Sequence, residues 1–211
     1  VASRASFNNH LGVPLTLSML PDRPAPAVQE MGMNAAGEIS HLSRMASPDV
    51  AVITCIADSH AGFFESLADI AAAKAEIFDG MDKDGMAILN RDDSFFDDLA
   101  ARAQAAGISD IVTFGRDEDA DFRLLDVEPA AAGQMVDASL PGTAVRFALG
   151  MRNAHWAHNA MAVLATVNAL GFDPADAASH LYDFNDLPGR GAVLSGALDA
   201  SRITLIDDSY N

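Results

Sequence analysis

Two lysines and a single cysteine in 211 residues set the first limits on this chain. With only Cys55, no intrachain disulfide can form, and the thiol fits a reducing compartment. Cations are scarce: 13 Lys and Arg stand against 30 Asp and Glu, a formal net charge of −17 at pH 7. Non-specific binding to nucleic acid or to an anionic membrane needs a cationic face, and this balance argues against both. No apolar run reaches the roughly 18 residues of a membrane span, and the opening residues do not read as a signal peptide. Absent too are the Gly-x-x-x-x-Gly-Lys-Ser/Thr phosphate loop, the serine nucleophile elbow, the His-Glu-x-x-His zinc helix and the Cys-x-x-Cys pair. The expectation is an intracellular chain, placed in the cytoplasm.

Apolar residues make up half the chain and mean hydropathy is +0.13, which excludes a disordered polymer. The length suits one domain with a real core, or one part of something larger. Asp far outnumbers Glu, as adaptation to salt or compositional drift would produce. The excess still constrains chemistry: an anionic substrate such as a nucleotide would need a divalent cation or a local Arg/Lys cluster to offset the field.

The middle of the chain alternates short apolar runs with longer helical patterns. Strands are predicted at Ala27–Met31, Val50–Ile56, Met86–Asn90 and Ile111–Phe114, and helices at Glu38–Met45, Leu67–Phe78 and Asp93–Ala106. Ser66 is the expected N-cap of the second helix, with Asp69 as its N3 acid, and Gly107 closes the third. Strands separated by helices of this length imply parallel β-α-β units. After Arg116 the pattern becomes a meander of short strands, Phe122–Val127, Gln134–Ser139 and Ala144–Leu149, so residues 122–149 read as an antiparallel β subregion. Helices return at His155–Leu170 and at Pro174–Leu181, the latter with Asp173 as N-cap, and a last strand runs over Ile203–Asp208. The predicted class is α/β: a mostly parallel sheet flanked by helices, with a small antiparallel appendage, in one domain over 1–211. The chain opens without a preceding strand and closes on one with nothing after it, so it reads as the interior of a longer protein, trimmed at both ends.

Several residues could carry chemistry, each beside a plainer reading. Glu30, in Gln29-Glu30-Met31-Gly32, stands at the C-terminal end of a predicted strand, where α/β proteins bind ligands; it equally suits capping the next helix. His60 follows the second strand on the same rim and could share a metal or phosphate with Glu30, or be solvated. Lys74, among small alanines, reads from pattern alone as a solvated helix lysine. Arg190 sits on a Pro-Gly-Arg-Gly turn that suits a phosphate or serves only as a turn. Asn159 could read a base edge or bond the backbone, His155 and His158 could be ligands or a helix start, and Asp207 and Asp208 could hold ribose hydroxyls or cap an element.

In order along nearly the whole chain, these segments resemble the Mur ligases of peptidoglycan synthesis. The carrying residues are Ser6-Phe7-Asn8-Asn9-His10-Leu11-Gly12-Val13-Pro14-Leu15-Thr16-Leu17, Glu30-Met31-Gly32-Met33-Asn34 leading to Gly37-Glu38-Ile39, His60, Ala73-Lys74-Ala75-Glu76-Ile77-Phe78, Leu89-Asn90-Arg91-Asp92, His155 through Asn159-Ala160, Pro188-Gly189-Arg190, and Ile206-Asp207-Asp208-Ser209-Tyr210-Asn211. The Asn-Asn-x-x-Gly-Val-Pro-Leu-Thr-Leu stretch favours the branch that adds D-alanyl-D-alanine (D-Ala-D-Ala) to UDP-N-acetylmuramoyl-tripeptide over its siblings and over folylpolyglutamate synthase. The resemblance implies a three-domain, ADP-forming ligase working through an acyl phosphate, of which this chain is the central ATP-binding domain. It implies that Glu30 and His60 are Mg²⁺ ligands near the ATP phosphates, and that Lys74 matches the family's carbamoylated lysine. It implies further that Asn159 contacts adenine, Arg190 a nucleotide phosphate or ribose, and Asp208 ribose, while Asn8 and Asn9 line the substrate side.

Carbamoylation needs a neutral amine, and an ordinary lysine with a pKa near ~10.4 is neutral in about one molecule in ~2,500 at pH 7. The product is an anion with hard oxygen donors, suited to Mg²⁺. Two departures from the family stand out: its phosphate loop lies upstream of the Asn-Asn motif and its C-terminal domain follows Asp-Ser-Tyr-Asn, and neither is in this sequence. A smaller one is Ala61-Gly62, where the family more often has Leu-Glu. The chain alone is therefore expected to be inactive, and exposed strand edges predict a homodimer or a rearranged sheet. The other class of reading is a non-catalytic module that binds a nucleotide or UDP-sugar.

Overall fold

Buried alanines decide how closely the first helices approach the sheet. In a computed structural model that describes residues 7–22, 26–58, 63–185, 189, 192–198, 201–207 and 209, the chain divides into two units, Val1–Thr113 and Phe114–Asn211. The first contains helix α1 (Gly12–Ser18), α2 (Glu38–Ala46), strand β1 (Val50–Ile53), α3 (Leu67–Ala75), β2 (Met86–Asn90), α4 (Phe96–Ala106) and most of β3 (Asp110–Gly115). β1 pairs with β2 in parallel, Val50 opposite Met86 and Ile53 opposite Leu89, and β2 neighbours β3. Ala51, Ile53, Ala87 and Leu89 of the strands pack with Ala71, Ala75, Phe78, Leu99, Ala103 and Ile108 in one core. Ala71, Ala73 and Ala75 are buried, so α3 lies close on its neighbours and leaves no room for longer side chains there.

Local signals explain the helix ends. Ser66 caps α3: its hydroxyl accepts from Asp69 N at 3.2 Å and donates to the Asp69 carboxylate at 2.7 Å. Gly107, at φ +97°, ends α4 in the left-handed conformation that glycine adopts without strain.

In the second unit, Phe114 and Gly115 at the end of β3 pair in parallel with Phe122 and Arg123 of β4 (Phe122–Pro129). β5 (Gln134–Leu140) and β6 (Thr143–Leu149) continue antiparallel. Helix α5 (Ala154–Ala169) lies against β4, and α6 (Pro174–Ser179) starts on Asp173, whose carboxylate accepts from Ala175 N and Asp176 N. β7 (Ala192–Leu198) and β8 (Ser201–Asp207) form an antiparallel pair of their own. Arg146 on β6 bridges Asp137 on β5 at 2.9 Å and Glu128 on β4 at 2.5 Å, and these acids hold its guanidinium above the ordinary arginine pKa, Glu128 foremost.

The class is the one expected, parallel strands with flanking helices and an antiparallel meander, but several elements differ. Ala27–Met31 makes only a single bridge at Val28, because side chains rather than a ladder bond this segment. β1 stops at Ile53 instead of Ile56, and the side chains of Asn90, the last residue of β2, and Asp93 just beyond it take over the bonding. Ser6–Pro14 reads from the sequence as a loop, whereas Gly12–Ser18 form α1; Pro14 lies in its first turn, where a missing N–H costs nothing. β7 was not foreseen, since Gly196 and the alanines hide its strand character. The α3 helix also gives way after Ala75 to a 3-10 turn over Glu76–Gly80. No helix among the described residues is long and apolar enough to cross a membrane.

Truncating Leu99, which is 1% exposed in the first unit's core, should cost about 2–5 kcal/mol by lost burial and a residual cavity. Leu125→Ala, at a position 45% exposed, should stay within about 0.5 kcal/mol. Urea unfolding of the two variants checks both expectations.

Candidate functional site

Glu30 is exposed, on an extended segment held to the residues around Asn8. Its Oε1 accepts from Asn8 Nδ2 at 3.1 Å, while Gly32 N donates to the Asn8 carbonyl at 2.7 Å. Gln29 Nε2 reinforces the contact by donating to the carbonyls of Phe7 at 3.1 Å and Glu30 at 2.7 Å. A Cβ at position 32 would stand 2.9 Å from Asn8 Nδ2, so glycine is what lets the two segments meet. A neutral amide therefore orients Glu30. Asn9 behaves differently from Asn8: its Oδ1 accepts from Leu11 N and Gly12 N, closing the turn into α1.

Lys74 lies half-buried in the last turn of α3, and its Nζ donates to the Cys55 carbonyl at 3.1 Å. The alanines around it are core residues rather than an open cuff. Met33, three residues past Glu30, packs with Ile39, Ile70 and Ala73, and Ile56 and Ile77 lean on the same cluster. One apolar cluster thus gathers the Glu30 segment, the residues after β1 and the helix that bears Lys74. His60 lies outside the described residues, so the third member of the expected set has no position here. Glu76 carries a role the sequence reading missed. Its carboxylate accepts from Gly37 N at 2.6 Å and Ser40 N at 3.2 Å, satisfying the start of α2 from another element.

In the second unit, Asn159 is half-buried on α5. His155 is exposed and its ring leans on Trp156 with centroids 4.7 Å apart, while His158 meets Phe114 edge-on at 5.3 Å. Buried Gln134 on β5 donates from Nε2 to the carbonyls of Met151 at 2.8 Å and Asn153 at 3.0 Å, and so sets where α5 begins. A polar residue on the buried face of an alternating strand was the signal that could have found it. Asp207 ends β8 as an acceptor: Gly189 N reaches Oδ2 at 2.9 Å, and the Ser209 hydroxyl reaches Oδ1 at 2.7 Å. Arg190 and Asp208, the expected nucleotide contacts, lie outside the described residues.

Among the described residues, no three His, Cys, Asp or Glu side chains converge as a metal site. The donor chemistry nevertheless suits a hard cation in part: Glu30 offers carboxylate oxygen, whereas Lys74 as an ammonium repels a cation and offers oxygen only as its carbamate.

The profile of the Mur ligase middle domain matches residues 2–167. The UDP-N-acetylmuramoyl-tripeptide--D-alanyl-D-alanine ligase of Bacillus subtilis is 36% identical over 206 residues, which are 98% of this chain and 42% of that protein. Among solved structures, MurF from Acinetobacter baumannii superposes with a TM-score of 0.88 at 29% identity, covering 100% of this chain and 44% of that one. MurF ligase from Thermotoga maritima in complex with ADP superposes at 0.79 with 26% identity, over 100% of this chain and 47% of that one. The chain spans a little under half the length of the curated relatives it matches.

The Ser209 hydroxyl, then Gly189 N, holds the Asp207 carboxyl below its ordinary value of 3.8. A lowered folded value adds stability that is present above 3.8 and disappears as pH falls through the folded value. Asp207→Asn should therefore be less stable than the unsubstituted chain at neutral pH, with the gap closing below 3.8. Urea unfolding across acid pH reads that convergence, and parallel curves would contradict it.

Proposed function

We propose that this chain, which belongs to the Mur ligase family through its middle domain, is the nucleotide-handling part of an ADP-forming ligase that joins D-Ala-D-Ala to UDP-N-acetylmuramoyl-tripeptide. The observation that carries the reading is its likeness, along almost its whole length, to ligases whose names state that activity. In this reaction a carboxylate oxygen of the tripeptide takes the terminal phosphoryl group of ATP. The dipeptide amine then attacks the acyl phosphate, and phosphate leaves from the tetrahedral intermediate. We place the reaction in the cytoplasm.

An ATP and a carboxylate would meet in a chain of net charge −17, so their charges need compensation. Mg²⁺ would supply it by neutralising phosphate oxygens and fixing their orientation. Glu30, His60 and the Lys74 carbamate are the residues proposed to hold the ion. Asn8 holds the exposed Glu30 carboxylate by its 3.1 Å bond. Asn159 offers an amide able to pair with an adenine edge, Arg190 a fixed cation for phosphate or ribose, and Asp208 an acceptor for ribose hydroxyls. On the substrate side, Asn8 and Asn9 are assigned to the sugar-peptide, although the Asn9 oxygen also closes the turn into α1. Because the 211 residues contain no phosphate-cradling glycine loop, turnover is proposed to need segments that the relatives supply.

The test is ADP release with ATP, Mg²⁺, UDP-N-acetylmuramoyl-tripeptide and D-Ala-D-Ala, comparing this chain with a version joined to the flanking segments of the Bacillus subtilis relative. Silence from the chain and turnover from the joined protein are expected, with Glu30→Gln in the latter losing roughly 100-fold or more. Replacing the dipeptide by meso-diaminopimelate, L-lysine or glutamate should abolish turnover. Nucleotide binding without turnover in the joined protein would transfer the reading to a non-catalytic binding module.

A further inference from the structure

β1 ends at Ile53, opposite Leu89, yet two of the next three residues, Thr54 and Ile56, remain bonded to the β2 side. Asn90 Nδ2 donates to the Thr54 carbonyl at 2.9 Å, and Ile56 N donates to Asp93 Oδ2 at 2.7 Å. Each of these side chains is tied at its other end to its own turn. Asn90 Oδ1 accepts from Asp92 N at 2.9 Å and Asp93 Oδ1 accepts from Phe95 N at 2.9 Å. Asn90 is buried, 8% exposed, so its amide has a fixed direction. Cys55 lies between the two fastened peptide groups, and its carbonyl is the one that receives Lys74 Nζ at 3.1 Å.

We infer that Asn90 and Asp93 are positioning residues for Lys74: they fix the Cys55 carbonyl so that it aims the lysine nitrogen for reaction with CO₂. The inference rests on the carbamate assigned to Lys74 above. In that reaction the neutral Nζ forms a new N–C bond to CO₂ and one proton leaves to solvent, so that an amine and CO₂ become an N–H carbamate anion and H⁺. The product keeps one N–H, enough to retain the bond to the Cys55 carbonyl, while the new CO₂⁻ group extends along a different bond of the planar nitrogen. An ammonium has three donors and no such directional demand. A carbonyl held from both sides therefore favours that carbamate orientation, and a loose one does not.

The 211-residue chain is titrated with ¹³C-bicarbonate at fixed pH, and the carbamate carbon is read by NMR, assigned through its loss in Lys74→Arg. Asp93→Ala should raise the half-saturating bicarbonate roughly tenfold, the scale of one hydrogen bond involving a charged group, and Asn90→Leu, which removes a neutral bond, roughly fivefold. Asp93→Asn, which keeps one acceptor oxygen, should shift it less. Leu99→Ala, which weakens the same unit from its core, should leave it unchanged and so separates positioning from stability. Near-UV circular dichroism confirms that each variant is folded, and Asp93→Asn decides the matter if the other two are not. Half-saturation unmoved in the folded variants would overturn the inference while leaving the carbamate in place. No label on Lys74 in the unsubstituted chain would remove the carbamate and this inference together.

Discussion

A peptide group that leaves a β-ladder must still bond to something, because an unpaired backbone N–H or C=O away from water costs as much as a lost hydrogen bond. Among the described residues, several stretches that bear or adjoin a candidate functional residue meet that demand with a side chain. Gln29 holds the Glu30 segment to Phe7, and Asn90 and Asp93 hold residues 54–56. Gln134 holds the entry to α5, and Asp207 holds Gly189. The arrangement frees the strand ends from the geometry of the ladder while keeping them fixed, which a binding rim requires.

The same demand accounts for part of the chain's acidity. With 13 basic residues against 30 acidic ones, one-to-one ion pairs would engage fewer than half of the carboxylates. Many accept from backbone N–H groups instead: Glu38 from Asn34, Glu76 from Gly37 and Ser40, Asp93 from Ile56 and Phe95, and Asp173 from Ala175. Such bonds are charge-assisted and local. Exposed pairs such as Arg102 with Asp98 add little by comparison. In the three-strand bridge of Arg146 with Asp137 and Glu128, by contrast, one guanidinium spans β4, β5 and β6.

Elements that carry their own signal were legible. β2 follows the predicted Met86–Asn90 to the residue, and Ser66, Gly107 and Asp173 mark helix ends by chemistry confined to one turn. Elements that depend on a partner were not: Ala27–Met31 has strand composition but no ladder, and β7 has a ladder but little strand composition. Of the candidate site, residue types and their order were readable, and with them the family. The pairing of Asn8 with Glu30 and of Lys74 with Cys55 joins residues 22 and 19 positions apart, which no local pattern reveals. Asn90 lies within the Leu89-Asn90-Arg91-Asp92 motif, but its bond to Thr54 is invisible to a pattern that extends β1 to Ile56, because a ladder would then occupy the Thr54 carbonyl.

By itself the sequence determined the α/β class, the helix caps, the antiparallel meander and membership in a ligase family, because periodicity, turn chemistry and motif order all act within short stretches. Only the tertiary structure decided where β1 ends, which side chain completes each backbone group beyond it, and that Glu76 starts a helix it does not belong to. The physical reason is that hydrogen bonds between distant segments depend on packing. The alanines of α3 and the Met33 cluster bring those segments within reach, and then geometry chooses the partners.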